Sequence, residues 1–329
     1  MPRLSYYRRI FSAYLLGGKS HLTFWHETPA ENPNAPTTEL GEYYMPFIEK
    51  ANYQGHYDSA GVPQLDYHGH IGLQYNPIAI AQYGLGNYNL YRRSADSDLD
   101  CRRKFFLAAD WLCANLEQNP HGLPVWNHHF DWEYHDTLRA PWYSALAQGQ
   151  GISLLVRAHK EWSKDSADAR YLDAAQRALA CFFQPTTQGG VAFTDESGDL
   201  WFEEYIVSPP THILNGFIWA AWGIYDYFLA TRSPGAHELF SRAVTTLLHN
   251  LERYDLGFWS LYEQSGTRLP MVASPFYHQL HIVQLRVLHR LTGEATFARI
   301  ADRWESYAHS RLNRARALVY KSVFKLCYY

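Results

Sequence analysis

A repeat of about 67 residues constrains the fold of this chain more than any other feature of its sequence. Three glycine-led segments follow helical patterns and begin at Gly122, Gly190 and Gly257, which are 68 (190 − 122) and 67 (257 − 190) residues apart. Each segment alternates as a strand does, and a unit of this length accommodates two helices and a hairpin. Because such a unit cannot bury its own apolar face, neighbouring units must stack. The repeat therefore predicts a mainly α fold, an (α/α) toroid or barrel of paired helices with inserted β-hairpins.

Apolar residues at helical spacing locate the helices between these segments. Helices are predicted over residues 77–91, 98–116, 143–162, 212–230 and 277–291, and further helical stripes run through Leu172, Ala175, Leu179 and Phe182, through Phe240, Ala243, Leu247 and Leu251, and through Phe297, Ile300, Trp304 and Tyr307. The sequence thus divides into an N-terminal segment of loops and short strands (1–75), an (α/α)-barrel domain (76–310) and a basic C-terminal tail (311–329).

Charge and motif content exclude several classes of function. Lys and Arg number 29 against 32 Asp and Glu, a net charge of −3, so the basic footprint of a nucleic-acid-binding protein is missing. The sequence contains no Walker loop, GxGxxG, HExxH or GxSxG motif, which argues against nucleotide use, zinc proteolysis and a serine hydrolase elbow. We therefore expect no cofactor and no nucleic-acid partner.

Cysteines and targeting signals set weaker limits. The four cysteines are scattered without a CxxC pair, so reduced thiols are expected. An apolar patch at residues 10–16 is too short to span a bilayer, and no convincing cleavage site follows it. We therefore expect no membrane span and, because no export signal is visible, a cytoplasmic location.

Two adjacent carboxylates end the second glycine-led segment. The run is WFEEY at residues 201–205, just before a predicted helix. In an alternating strand Glu203 and Glu204 point to opposite faces, so only one of them can face a cleft. A carboxylate in that place, beside Tyr205, could accept a proton, whereas the alternative is a solvated pair of acids.

The third segment leads into a second polar and aromatic cluster. Tyr262 ends the equivalent strand one repeat later, and Tyr277 begins the next predicted helix. His278 and His281 share one helical face, so they form a metal half-site or bind a carboxylate. Because no further ligands are clearly placed, hydrogen bonding is favoured and no metal is expected. The run HHFDWEYHD at residues 128–136 also resembles a ligand cluster, but its members are too close together to enclose one ion.

Several motifs in one order resemble the glucuronyl C5-epimerases of heparan sulfate and heparosan biosynthesis. They are YNPIAIAQYGLGNY at 75–88, WYSALAQGQGISLLVRA at 142–158, EEY at 203–205 with LNGF at 214–217, and YHQLHIVQL at 277–285. The shared order extends from about residue 75 to about residue 308, roughly seven-tenths of the chain. Long motifs in a single order are far more specific than any one of them alone.

The resemblance implies an (α/α)-toroid catalytic domain that holds an acidic polysaccharide in a cleft, and it suggests a homodimer. It also implies that four residues act around C5 of glucuronate, namely Glu204, Tyr205, Tyr262 and Tyr277. Further residues of the motifs are expected to bind the substrate: His278, His281, Gln82, Tyr83, Tyr143, Gln148 and Asn215. For the two glutamines, Tyr83 and Tyr143, a purely structural role is the alternative.

The sequence departs from the animal members of this family in two respects. They carry an Arg three residues after the Tyr equivalent to Tyr262, where this chain has Ser265, and Arg268 is the candidate replacement. The animal enzymes also have a large N-terminal β-rich portion and a membrane anchor, whereas about 75 residues precede the first motif here.

The implied reaction places specific demands on the site. C5 epimerisation needs proton-transfer groups on opposite faces of the sugar and donors on its carboxylate, because the charge left by the C5 proton moves into that carboxylate. We expect Glu204 and Tyr277 to form the opposed pair and to convert D-glucuronate to L-iduronate in a heparosan-like polymer. Two alternatives are a uronate polysaccharide lyase, in which the C4 substituent leaves after the same proton removal, and a non-catalytic glycan-binding protein.

Overall fold

A computed structural model of the chain describes residues 24, 27–164 and 166–328 and is mainly helical. The helices are α1 (Ile48–Ala51), α2 (Pro77–Arg93), α3 (Leu99–Ala114), α4 (Ala145–Trp162), α5 (Arg170–Leu179), α6 (Leu214–Thr231), α7 (Pro234–Asn250), α8 (Pro275–Thr292), α9 (Ala295–His309) and α10 (Arg311–Tyr328). Short 3₁₀ helices cover Ala180–Phe183, Thr186–Gln188 and Leu251–Tyr254. The apolar patch at residues 10–16 lies outside the described residues.

The strands are short and form small antiparallel sheets. They are β1 (His56–Tyr57), β2 (Pro63–Asp66), β3 (Leu73–Gln74), β4 (Glu117–Gln118), β5 (Pro124–Val125), β6 (Trp132–Glu133), β7 (Thr137–Leu138), β8 (Ala192–Thr194) and β9 (Leu200–Phe202). The first three form one sheet in the order β1-β2-β3, and the others pair as β4-β5, β6-β7 and β8-β9. Small hairpins inserted between long helices were the predicted arrangement, and the mainly α class is confirmed.

The predicted helices are all present, and their starts have local causes. Asn76 caps α2 by accepting hydrogen bonds from the amides of Ile78 (2.9 Å) and Ala79 (3.2 Å). Ser144 and Ser274 cap α4 and α8 in the same way. The predicted stripes are buried, apart from two positions that are only half-buried, Leu172 and Tyr307.

The three glycine-led segments differ more than their spacing suggests. The first two form the hairpins β4-β5 and β8-β9, as predicted. The third has only two isolated bridges, between Asp255 and Ser260 and between Leu261 and Val272. The hairpin β6-β7 was not predicted, because its residues belong to the polar run 128–136, which lacks the alternation typical of strands.

The chain forms two compact units. The central unit comprises Asn32–Pro210 and Gly216–Thr246, and the C-terminal unit comprises the described residues up to Glu31, Thr211–Asn215 and the chain from Leu247 onward. In the central unit α2 packs against α3, and α4 packs against α5. Gly149 of α4 meets the backbone of α6 at Ala220, and only a glycine leaves room for that approach.

A buried ion pair holds together the centre of the central unit. Arg157 of α4 donates to both carboxylate oxygens of Asp226 in α6, at 2.6 and 3.1 Å, and neither side chain is accessible to solvent. Tyr44 donates to the same carboxylate at 2.7 Å, and Arg157 also donates to the carbonyl of Gly41. The pair therefore ties the segment before α1 to two long helices.

In the C-terminal unit α8 packs against α9, and the basic tail forms α10. Lys321 of α10 donates to the carbonyl of Val272 (2.9 Å), and Arg316 stacks its guanidinium over Phe258. The tail is thus a helix fastened to the third glycine-led segment. Within the described part of the chain, no helix has both the length and the apolar character that crossing a bilayer requires.

Candidate active site

The two adjacent carboxylates, Glu203 and Glu204, directly follow strand β9 of the hairpin β8-β9. The backbone of Glu203 continues the hairpin, since its amide donates to Val191 (2.9 Å) and its carbonyl accepts from Ala145 at the start of α4 (3.0 Å). Glu203 is 1% exposed and Glu204 is 5% exposed. The alternative of a solvated pair of acids is therefore wrong, because both carboxylates are enclosed.

Glu204 is seated directly against the first turn of α6. A Cβ placed on Gly216 would lie 2.8 Å from Cβ of Glu204 and closer still to its carboxylate oxygen Oε2. No other residue at position 216 would leave the glutamate in this position. Glu204 therefore lies beside the N-terminal end of α6, which is the electropositive end of a helix.

Tyr205 is half-buried and lies beside two other aromatic rings of the central unit. Its ring centroid is 4.5 Å from that of Tyr134 and 5.7 Å from that of Trp142. Behind Trp142 the imidazole of His128 stacks at 3.8 Å, and burial lowers the pKa of His128 to about 3. The phenol is thus presented next to Glu204 on a surface of packed aromatic rings.

Tyr262 and Tyr277 come together in the C-terminal unit. Their ring centroids are 4.8 Å apart with the rings inclined at 60°, and both side chains are half-buried. Tyr262 is held by its backbone, whose amide donates to Met271 and whose carbonyl accepts from Leu214. Tyr277 occupies the first turn of α8, where its amide donates to the cap Ser274. The sequence prediction that these two phenols share a site is consistent with this contact.

Behind these phenols, a serine joins His278 to His281. Nε2 of His278 lies 2.9 Å from the carbonyl of Trp304 and must donate to it, so Nδ1 is the acceptor. That nitrogen accepts from the amide of Ser260 (3.2 Å) and from its hydroxyl (2.8 Å). The hydroxyl oxygen, 3.1 Å from Nδ1 of His281, therefore accepts from His281.

Both imidazoles of this pair are neutral at ordinary pH. Burial lowers the pKa of His278 to about 3, and burial together with the neighbouring His278 holds the pKa of His281 well below its usual range. The tautomer assigned above leaves Nε2 of His281 as an acceptor, and no partner for it exists among the described residues. The two histidines are thus buried groups that position the start of α8.

Several other predicted site residues are used inside the central unit. Gln148 is buried, and its amide group accepts from Trp126 (2.8 Å) and donates to the carbonyls of Pro124 and Ala178. The side chain of Gln82 donates to that of Gln150 at 2.8 Å. These bonds agree with a purely structural role for Gln148, which the sequence left open as the alternative to substrate binding.

The remaining predicted residues occupy contrasting environments. Tyr83 is buried, and burial raises the pKa of its phenol. Tyr143 is half-buried at the approach to α4, and Asn215 is buried with its carbonyl accepting from Gln284 (2.9 Å). Arg268 is exposed on the loop that follows Tyr262.

Metal ligation has no visible support in the part of the chain that is described. No group of three or more His, Cys, Asp or Glu side chains is arranged to hold an ion there. In the run at residues 128–136, His128 stacks on Trp142, and Asp131 pairs with Arg139 across the base of β6-β7. Part of this run thus belongs to the hairpin β6-β7.

Two features of the site were not identified from the sequence. Ser260, which joins the histidine pair, lies two residues before Tyr262, and strand alternation could have placed it on the same face. Tyr134 contacts Tyr205 although the two are 71 residues apart (205 − 134), and no local pattern carries that information.

The sequence is similar to that of known proteins over more than half of its length. The family model described as the D-glucuronyl C5-epimerase C-terminus matches residues 118–306. A D-glucuronyl C5-epimerase of Caenorhabditis elegans is 32% identical over 225 residues, which are 63% of this chain and 35% of that protein. An uncharacterized protein of Methanocaldococcus jannaschii is 28% identical over 199 residues, 60% of this chain and 62% of that protein. The chain thus spans less than two thirds of the length of either relative.

One solved structure has a similar fold. An unsaturated glucuronyl hydrolase specific for heparin matches with a TM-score of 0.50 and 11% identity, over 91% of this chain and 82% of that one. At this identity the match concerns the fold alone, and it agrees with the predicted (α/α) class.

Proposed function

The chain belongs to the D-glucuronyl C5-epimerase family, and on this premise we propose that it inverts C5 of uronate residues in an acidic polysaccharide. The proposed substrate is a glucuronate polymer of the heparosan type, converted in part to L-iduronate. The single observation that carries the proposal is the enclosed carboxylate of Glu204, seated against Gly216 and beside the half-buried phenol of Tyr205. An enclosed acid next to aromatic rings suits proton transfer from a weakly acidic C–H bond.

We assign the two proton transfers to Glu204 and Tyr277. Each acts on one face of the same sugar ring, so that one takes the C5 proton and the other supplies its replacement. Tyr205 and Tyr262 then position the ring or relay protons, and the exposed Arg268 is the proposed cation for the substrate carboxylate. The family match supports this assignment because residues 118–306 include all five.

For the histidine pair we propose positioning and not direct contact with the substrate. His278 and His281 are buried, neutral and bonded to Ser260, so neither supplies a positive charge for a carboxylate. Their contact with Ser260 instead orients the first turn of α8, which carries Tyr277. A homodimer, suggested by the resemblance, is also part of the proposal.

Nuclear magnetic resonance in deuterated water tests the proposed reaction. Heparosan and other glucuronate polymers are incubated with the wild-type chain, Glu204→Gln and Glu196→Gln. Glu196 is an exposed acid in the turn of the same β8-β9 hairpin and is the matched control. We expect deuterium at C5 and iduronate signals with wild type and Glu196→Gln, and neither with Glu204→Gln.

The same spectra separate the two alternatives. A lyase produces an unsaturated chain end that absorbs ultraviolet light, and the polymer becomes shorter. A glycan-binding protein binds the polymer without deuterium uptake. Either result would contradict the proposed epimerisation.

A further inference from the structure

The hairpin β6-β7 extends the aromatic surroundings of Tyr205 well beyond the proposed reaction centre. We propose that this hairpin and its neighbours form a binding subsite for a sugar residue that flanks the reacting one in the polymer. The subsite, here called the aromatic surface, consists of Tyr67, Trp132, Tyr134, Trp142 and Tyr205. This proposal rests on the proposed function, because it describes how the same site binds its polymer.

The aromatic surface consists of two groups of rings in contact, and the buried Phe130 joins the two groups from behind. Tyr134 at the tip of the hairpin lies 4.5 Å from Tyr205 between ring centroids, and Trp142 lies on the other side of Tyr205 at 5.7 Å. At the base of the hairpin Trp132 lies 5.8 Å from Tyr67. Ring contacts therefore run from Tyr205 to both ends of the hairpin.

Buried groups hold this surface rigid from behind. Phe130 is buried and contacts Tyr67 at 4.6 Å and Trp142 at 6.0 Å. His128 is also buried and stacks on Trp142, whose indole Nε1 donates to the carbonyl of Phe130 (2.8 Å). The five rings of the aromatic surface itself are half-buried, so a minor part of each remains accessible on a fixed support.

Partly accessible Tyr and Trp rings match the chemistry of a pyranose ring. Such rings offer a flat apolar face for the C–H groups and a polar edge for the hydroxyls. Because Tyr134 touches Tyr205, a sugar bound on the hairpin is next to the one that reacts. The hydroxyl of Tyr67 accepts from Asn76 (2.7 Å), and Nε1 of Trp142 donates to Phe130, so these two rings offer their faces and not their polar atoms.

Charges around the hairpin favour stacking over ion pairing. Asp131 is bound to Arg139 and accepts from the amide of Ala140 (3.0 Å), which closes the base of the hairpin. Glu133 pairs with Thr137 in the ladder, and alternation directs its side chain away from the face of Trp132. The flanking sugar is therefore recognised mainly by its ring and only slightly by its charge.

Affinity measurements on oligosaccharides of increasing length test the subsite. Wild type, Trp132→Ala, Tyr134→Ala, Tyr134→Phe and Phe183→Ala are titrated calorimetrically with glucuronate-polymer fragments. Phe183 is 50% exposed, lies in the same unit and is absent from the aromatic surface, so it is the matched control. We expect both alanine variants to bind long fragments about fivefold to tenfold more weakly, as the loss of one stacking contact implies.

Further readouts distinguish stacking from a folding defect or a charge effect. Tyr134→Phe keeps the ring but loses the hydroxyl, so it should bind more tightly than Tyr134→Ala, whereas Phe183→Ala should bind as wild type does. The loss in the alanine variants should be the same at low and high salt, because screening weakens ion pairs but not stacking. Circular dichroism checks that the variants fold.

Two results separate this inference from the proposed function. If Trp132→Ala and Tyr134→Ala bind long fragments as tightly as wild type while C5 exchange proceeds, the subsite is disproved and the epimerase proposal stands. If wild type shows no C5 exchange but the alanine variants bind more weakly, the epimerase proposal fails and the sugar subsite is supported.

Discussion

The carboxylate of Glu204 occupies the space that any side chain at Gly216 would need. A Cβ at position 216 would lie 2.8 Å from Cβ of Glu204. That atom is close to the backbone, so the clash cannot be relieved by rotating the end of the glutamate alone. The glycine in the LNGF motif is thereby linked to the acid in the EEY motif.

Gly216→Ala should therefore impair the proposed chemistry without removing any catalytic group. We expect the alanine to displace Glu204 by up to about 1 Å and to slow C5 deuterium uptake about 100-fold, as misplaced catalytic groups commonly do. Gly235→Ala is the matched control, because its Cβ would meet Phe183 at an ordinary 3.4 Å. Equal C5 exchange rates in the two variants would show that the reaction does not depend on the contact between Glu204 and Gly216.

If Glu204 and Tyr277 act on opposite faces of the sugar, a variant that lacks one of them should exchange the C5 hydrogen of one epimer and not of the other. Without one group, the other can still remove and return a proton on its own face, but inversion stops. Glu204→Gln and Tyr277→Phe should each exchange the C5 hydrogen of only one epimer, and the two variants should favour different epimers. Separate incubation of glucuronate and iduronate polymers in deuterated water measures this. Loss of exchange with both epimers in both variants would contradict two independent proton carriers.

The helices were predictable because their causes are local. Apolar spacing and capping residues such as Asn76, Ser144 and Ser274 lie within a few positions of the helices that they define. The environment of Tyr205 was not predictable in this way. Its neighbour Tyr134 belongs to a hairpin in a polar run that resembles a ligand cluster but is too closely spaced to enclose an ion, and only the folded chain shows the ring contact with Tyr205.

The site residues show the same division. The motifs predict Glu204, Tyr262 and Tyr277 as site residues, whereas the burial of His278 and His281 depends on packing against Trp259 and Trp304 that sequence spacing does not show. A histidine pair on one helical face suggested carboxylate binding. Burial of the pair makes both rings neutral, so neither can supply a positive charge to a substrate carboxylate.

The serine that joins the histidine pair should matter for both stability and turnover. Ser260→Ala removes the hydroxyl that donates to His278 and accepts from His281, and it leaves a buried N–H group without its acceptor. We expect a loss of about 1–3 kcal/mol in the free energy of unfolding, measured in urea. We also expect slower C5 exchange, because the first turn of α8 loses its support.

Ser306→Ala is the matched control for that change. Ser306 is exposed on α9 and donates only to the carbonyl of Arg303, so its loss should cost little. If Ser260→Ala were as stable and as active as this control, the serine would not position the pair.

Three buried histidines predict that stability depends on pH. The pKa values of His128 and His278 are lowered to about 3, and that of His281 is also lowered. The unfolded chain, with histidine pKa values near 6.5, binds these protons first. Stability should therefore be complete above pH 6.5 and fall as the pH decreases towards 3, by at most about 1.4 kcal/mol per pH unit for each histidine.

Replacing one of these histidines should reduce that dependence. His128→Phe keeps a ring against Trp142 but cannot be protonated, so its unfolding free energy should fall less steeply below pH 6.5. His56→Gln, at an exposed position, should leave the slope unchanged. Denaturation in urea at a series of pH values measures both slopes, and identical slopes in all three proteins would contradict the assigned protonation states.

Removing one partner of the ion pair between Arg157 and Asp226 should destabilise the protein strongly, because the other charge then stays buried without its partner. Asp226→Asn leaves a buried guanidinium without its counter-charge and should cost about 3–5 kcal/mol of unfolding free energy. The double variant Arg157→Met with Asp226→Leu removes both charges and should cost less than the two single changes together, although Tyr44 and the carbonyl of Gly41 then lose partners. Asp173→Asn, at an exposed position on α5, is the control for the amide substitution. Urea denaturation measures all of these variants, and an Asp226→Asn protein within about 1 kcal/mol of wild type would mean that the pair does not hold this unit together.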